Sequence, residues 1–354
     1  MLFSPFRLGR IELKNRVVMS PMTRSRAIGN VPNALMAEYY GQRADAGLLI
    51  TEGVSPSPNG LGYARIPGIF SAEQTAGWKA VTDAVHAKGG RIFMQIMHTG
   101  RIGHALNLPA GAEIVGPYAV AAPGEMWTDS SGAQPHPVPR AMESADIERV
   151  LEEYKTAALN AVAAGFDGIE LHGANGYLID QFLNPASNKR SDDFGGSPEK
   201  RNKFALLVAE ASAKAIGQDR VGIRLSPYGV FNAMEHFAEI DAQYRALAAG
   251  LSAHAGYIHL VDHSAQGAPK PDQATVEGIR SAFSGAMILS GGYDAARAEK
   301  DLVEKRADLI AFGRPFLANP DLVKRLQTGA ALNEPDPSTF YTPGAKGYTD
   351  YSSL

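Results

Sequence analysis

Eight short apolar runs rich in branched residues recur along the chain, at 16–21, 48–53, 91–98, 168–173, 221–227, 257–262, 286–292 and 309–314. A run of this length suits a buried strand, and the sequence between runs carries helical periodicity. Ile147, Val150, Leu151, Tyr154 and Ala158 make one such face; Trp78, Val81, Thr82 and Val85 make another, closed by Gly89 and Gly90. Residues 320–326 supply the eighth helix. Alternation of this regularity predicts the α/β class and a single-domain (β/α)8 TIM barrel spanning 1–354. A doubly wound sheet is the alternative, but it rarely needs eight units. Residues 7–13 read as an N-terminal β-hairpin turning at Gly9 and covering the N-terminal mouth. A long loop after strand 3, 99–142, holds six prolines and six glycines and no sustained period, the pattern of a functional loop or of a passive excursion. It is expected to lie over the catalytic face as a lid.

Active sites of such barrels form at the C-terminal strand ends, and polar residues collect there. After the first run come Pro21, Met22 and Thr23; the second ends in Glu52, and the third carries Gln95 and His98. The fourth leads into His172, Asn175 and Tyr177, three hydrogen-bonding side chains within six positions. His172 and Asn175 can donate to one oxygen and Tyr177 can supply a proton, a set suited to activating a carbonyl. Arg224 lies on the fifth run, His259 and Asp262 on the sixth. Gly291 and Gly292 follow the seventh, and Gly313 and Arg314 the eighth. Glycine-exposed N–H groups beside an arginine at this location favour a bound phosphate. Gln95 and Arg224 project into a barrel interior, where an unpaired arginine is costly, so a polar partner must reach inside. A flavin ring meets that need.

Composition narrows the chemistry further. With no cysteine at all, the chain has no disulfide, iron–sulfur cluster, thiolate zinc site or cysteine nucleophile. Redox chemistry therefore needs a bound cofactor. A net charge of −3 without blocks of like charge gives no footprint for nucleic acid or an anionic membrane. The start of the chain lacks a signal-like pattern and no stretch is apolar enough to span a bilayer, so a cytoplasmic enzyme acting on a small molecule is expected.

These motifs, in this order, resemble those of the old yellow enzymes, FMN-dependent ene-reductases that use NADPH. The likeness runs from Leu2-Phe3-Ser4-Pro5 and Ser20-Pro21-Met22-Thr23-Arg24 through Gln95 to Arg101, His172 to Leu178, Asp193 to Ser197, Arg224 to Pro227, Ala311 to Pro315 and Gly347 to Tyr351. The resemblance implies non-covalent FMN, with Pro21, Met22, Thr23, Gln95 and Arg224 around its ring. The Thr23 hydroxyl falls near the flavin O4. Glu52 stands where the family commonly has alanine and the backbone meets the flavin. Gly291, Gly292, Gly313 and Arg314 would hold the FMN phosphate. His172 and Asn175 would bind the substrate oxygen, and Tyr177 would donate the proton. NADPH, or NADH, gives hydride to the flavin, and an α,β-unsaturated carbonyl then takes it at the β-carbon; quinones and nitro compounds are further acceptors. Tyr63 and Tyr348 resemble aromatic residues lining the family's pocket. Met97 departs from the tryptophan of most relatives with Thr at position 23, and alternation puts it on the Gln95 face, widening the pocket. Monomer and homodimer stay open. A metal-dependent barrel hydrolase would need more than His259 and His263 and no metal site is expected, while a larger flavin dienoyl reductase would need cysteines for its cluster. A non-catalytic flavin-binding module shares the fold.

Overall fold

In the computed structural model, which describes residues 1–354, the eight runs close into a parallel barrel. Its strands are Val17–Met19, Leu48–Val54, Ile92–Ile96, Gly168–Gly173, Val221–Leu225, Tyr257–Val261, Ala286–Ser290 and Leu309–Phe312. Each pairs with the next, and the eighth returns to the first. Several runs continue past their strands, and the overhang forms the loops of the catalytic face. Pro21 and Pro227 have no N–H to extend the ladder, while Gly291 and Gly292 leave it at positive φ.

Helices Ala72–His86 and Ser144–Ala163 bury the faces their periodicity marks, Trp78, Val81, Thr82 and Val85 in one and Ile147, Val150, Tyr154 and Ala158 in the other. Full burial of such aliphatic side chains contributes roughly 1.5–3 kcal/mol each. The hairpin is present, with Phe6–Leu8 antiparallel to Ile11–Leu13 about Gly9. Its Leu8 and Leu13 join Val18, Leu48, Phe93, Tyr257 and Leu309 in an apolar plug at the barrel's N-terminal end.

The 99–142 segment is more ordered than its composition suggests. It folds a hairpin, Glu125–Thr128 with Gly132–Pro135, and a short parallel pair, Val115–Gly116 with Arg140–Ala141. Strands of two to four residues are too short to register as alternation in sequence. No helix is long and apolar enough to cross a membrane.

Register decides what faces the inside. Glu170 lies beside Gln95, His172 beside Arg224, and Arg224 beside His259. The second strand breaks the pattern: its pairing with the third jumps from Ile50 opposite Phe93 to Gly53 opposite Gln95. The extra residue of this bulge reverses the alternation at Glu52.

Candidate active site

Above the apolar plug lies a polar layer organised by one buried carboxylate. Glu170 accepts from Gln95 Nε2 at 2.8 Å, from the Tyr257 hydroxyl at 3.1 Å and from His259 Nδ1 at 2.9 Å. His259 Nε2 meets Ser290 Oγ at 3.0 Å, so the imidazole is fully used within the layer. With its amide nitrogen committed to Glu170, Gln95 presents Oε1 toward the cavity above. Arg224 is 7% exposed, and its Nε has no partner in the chain. Burial pulls its guanidinium down from the usual range, with Glu170 pulling the other way. A buried, unsatisfied guanidinium is costly unless a ligand meets it.

The next layer is built on the turn after the fourth strand. Asn175 and Gly176 both hold left-handed φ, 61° and 74°. Gly176 needs its missing Cβ, which would stand 2.7 Å from the Asn232 side chain. Two residues of the following helix, Leu178–Leu183, pin this turn: Asp180 accepts the Gly176 N–H at 2.8 Å, and Gln181 donates to the Gly176 carbonyl at 2.7 Å. Burial raises the Asp180 carboxyl to about 7.

Asn175 is clamped at three atoms. Its N–H donates to Ser226 Oγ at 2.9 Å, its carbonyl accepts from Asn232 Nδ2 at 2.7 Å, and its side-chain Oδ1 meets His263 Nε2 at 2.7 Å. Occupying Oδ1 turns the amide N–H pair into the cavity. Burial lowers His263 to about 4, so a neutral ring donates from Nε2. His172 is also neutral, its pKa driven well down by burial and then by Arg224. Its Nδ1 accepts from the Ala174 N–H at 3.4 Å, which places the ring proton on Nε2. Tyr177 stands edge-on to His172 at 4.8 Å between ring centres, with its hydroxyl 2.9 Å from that of Tyr63.

These groups line one cavity of about 1160 Å³, above the roughly 300–1,000 Å³ usual for a single small ligand. At its far side, the N–H groups of Gly291, Gly292 and Gly313 make no backbone hydrogen bond within the chain. Arg297 draws the Gly291 and Gly292 carbonyls aside at 2.8 and 3.3 Å. Gly291 holds φ of 122°, and a Cβ there would meet the Asp262 carbonyl at 2.1 Å. Three unused N–H donors beside an exposed arginine, and an unsatisfied guanidinium deeper in, fit a ligand with a phosphate at one end and a polar ring at the other. FMN has that shape and charge.

Pro21, Met22, Thr23, Tyr63, Gln95, Met97, His172, Asn175, Tyr177, Arg224, Gly291, Gly292, Gly313 and Arg314 all line this cavity. Two expected residues do not. Through the bulge, Glu52 turns outward to Tyr40 of the helix Ala34–Gln42, accepting from its hydroxyl at 3.3 Å. Burial raises its carboxyl to about 7. Tyr348, expected in the substrate pocket, is fully buried behind it instead, stacked on Tyr39 at 4.0 Å with Arg24 and Arg26 over its ring. His98 is equally internal, its Nδ1 accepting the Gly100 N–H. Glu170, His263 and Asn232 were not singled out as working residues. Alternation placed Glu170 on the His172 face, a usable signal; no local pattern marks the other two.

Over the mouth, the 99–142 segment supplies Met126, Trp127 and Asp129, and Arg65 pairs with Asp129. Residues 1–333 match the NADH:flavin oxidoreductase / NADH oxidase family. The chain is 42% identical over 356 residues to a probable flavin mononucleotide-dependent alkene reductase of Leishmania infantum, covering 99% of this chain and 97% of that protein. It is 40% identical over 377 residues to 12-oxophytodienoate reductase 7 of Oryza sativa subsp. japonica, covering 100% and 94%. Morphinone reductase in complex with tetrahydroNAD superposes with a TM-score of 0.95 at 45% identity, covering 100% of this chain and 97% of that one.

Proposed function

The chain belongs to the NADH:flavin oxidoreductase / NADH oxidase family, the old yellow enzymes its motifs resemble, and from that premise we propose an ene-reductase acting on α,β-unsaturated carbonyl and nitro compounds. The flavin, when bound, supplies the hydride chemistry, taking hydride from a reduced nicotinamide and passing it to the substrate's β-carbon. Relatives named for flavin-dependent alkene reduction and for a tetrahydroNAD complex support both ligands.

Each half of the cavity then has work to do. Gly291, Gly292, Gly313 and Arg314 hold the phosphate, while Pro21, Met22, Thr23, Gln95 and Arg224 surround the ring. The Arg224 charge gains the partner the chain denies it. His172 Nε2 and the Asn175 amide donate to the substrate oxygen, where negative charge builds as the β-carbon is reduced. One well-placed donor of this kind lowers the barrier by roughly 3–4 kcal/mol. Tyr177 then gives its proton to the α-carbon.

The observation carrying this reading is that the clamp on Asn175 and the tautomer of His172 aim both donors into the cavity that also receives the unsatisfied Arg224. With 2-cyclohexenone and a nicotinamide deuterated at C4, deuterium is expected at the product's β-carbon; in D2O with unlabelled donor it is expected at the α-carbon. Nicotinamide-derived deuterium at the α-carbon contradicts the mechanism.

Charge at the mouth bears on the nicotinamide. Arg65 is the guanidinium on that rim, and Asp129, the Ser25 carbonyl and the Tyr341 carbonyl already occupy it, with Glu125 and Asp129 lining the same opening. A 2′-phosphate finds acidic groups and a committed cation there. We therefore expect kcat/KM for NADH at least equal to that for NADPH in steady-state assays; a tenfold NADPH preference contradicts this.

Met97 shapes the substrate side. It packs with Leu61 and Ile66 and rests on Gly53, where a Cβ would meet its sulfur at 2.5 Å. Tryptophan at this position has to push toward Tyr63 and Tyr177 across the space a substituted enone fills. Met97→Trp is expected to change the enantiomeric ratio with a 2- or 3-substituted enone, read by chiral chromatography. An unchanged ratio and rate make Met97 a packing residue only.

A further inference from the structure

Tyr63 follows the second strand and Tyr177 the fourth, and their hydroxyl oxygens meet at 2.9 Å with rings at 80°. The Asn232 side chain lies within reach of both hydroxyls and lowers both phenols. Asn232 apart, their surroundings are apolar: Leu61, Ile66 and Met97 pack on one side and Ile102, Ala122 and Met126 on the other. A hydrogen bond in such surroundings is stronger than one in water. The segment bearing Tyr63 is held in place by Arg65, which binds Asp129 and the carbonyls of Ser25 and Tyr341.

We infer that Tyr63 is a positioning residue for proton delivery, donating its hydroxyl hydrogen to the Tyr177 oxygen while Tyr177 protonates the substrate. The inference rests on the reading of Tyr177 as the proton donor. Either hydroxyl could donate in this contact, and the role of Tyr177 sets the direction. For Tyr177 to aim its own hydrogen at the substrate α-carbon, its oxygen must accept the neighbouring hydroxyl. As the Tyr177 O–H bond breaks and the C–H bond forms, the charge appearing on Tyr177 oxygen is met by the Tyr63 donor. Transfer of the Tyr63 proton then restores Tyr177, and a water proton restores Tyr63. Burial pushes both phenols up, while the shared hydrogen bond lowers Tyr177 and raises Tyr63.

The test uses the FMN-loaded enzyme, reduced anaerobically and mixed with either 2-cyclohexenone or ferricyanide. Ferricyanide takes electrons and needs no proton on carbon. Tyr63→Phe is expected to slow reoxidation by the enone about 10-fold to 10²-fold, the effect of losing one hydrogen bond to a developing charge, and to leave ferricyanide unchanged. Tyr63→Phe combined with Tyr177→Phe is expected to be no slower than Tyr177→Phe alone. Carbon-13 tyrosine NMR, assigned through Tyr177→Phe, gives a second readout. The groups facing Tyr177 are Tyr63, Asn232, His172, Arg224 and Tyr341, and loss of the Tyr63 donor is expected to raise the Tyr177 titration. Equal slowing with both acceptors, full additivity in the double variant, or an unmoved Tyr177 titration overturns the inference. A wild-type enone rate in Tyr177→Phe alone removes Tyr177 as donor, a distinct failure that takes the inference with it.

Discussion

His172→Ala is expected to slow reoxidation of the reduced enzyme by 2-cyclohexenone about 10²-fold to 10³-fold, the usual cost of one oxyanion donor. The argument turns on protonation. A histidine that burial keeps neutral, with Nδ1 facing the Ala174 N–H, has its one proton on Nε2 and no other use for it. That donor strengthens as charge develops on the substrate oxygen, so its loss falls on the rate more than on substrate binding. Reduction by NADH builds no negative charge on a substrate oxygen. It is expected to keep its rate within about twofold, since uniform loss in both half-reactions signals damage to the fold instead. Stopped-flow measurement of the two half-reactions separates the outcomes.

Arg224→Met is expected to weaken FMN binding by about tenfold to 10²-fold, read by fluorescence titration of the flavin-free protein. Methionine matches the length and apolar stem of arginine and removes only the charge and its donors. The chain gives Arg224 Nε no partner, so what is lost is an interaction with the ligand. Hydrogen bonds to a charged group contribute about 1.5–3 kcal/mol, which sets the range. Unchanged FMN affinity means that Arg224 answers to Glu170 alone.

The barrel was legible because each strand is an apolar run with a polar residue at its end, and because the helices between carry their own period. Arg224 and Gln95 could be placed inside by the same alternation. The alternation is interrupted at Glu52, where one extra residue between Ile50 and Gly53 turns the side chain to Tyr40. A bulge changes register without changing composition, so no apolar pattern reports it. Tyr348 was misplaced for a different reason: its position follows from a stack on Tyr39 more than three hundred residues away in sequence, with Arg24 and Arg26 completing the contact. His263 and Asn232 act through contacts to Asn175 from other loops, which only the closed barrel brings together. Glu170 is legible from the sequence alone. A carboxylate inside an apolar strand, two residues before a working histidine, asks for donors, and Gln95, Tyr257 and His259 provide them.

The most direct test of the whole account is the visible spectrum of the purified protein under anaerobic conditions, recorded before and after NADH and again after 2-cyclohexenone. The expected result is a yellow protein that bleaches with the nicotinamide and regains its colour with the enone, both half-reactions in one cuvette. A colourless protein that takes up no FMN when it is supplied contradicts the account at its centre, because Arg224 and the glycine N–H groups would then face a cavity with no flavin to meet them.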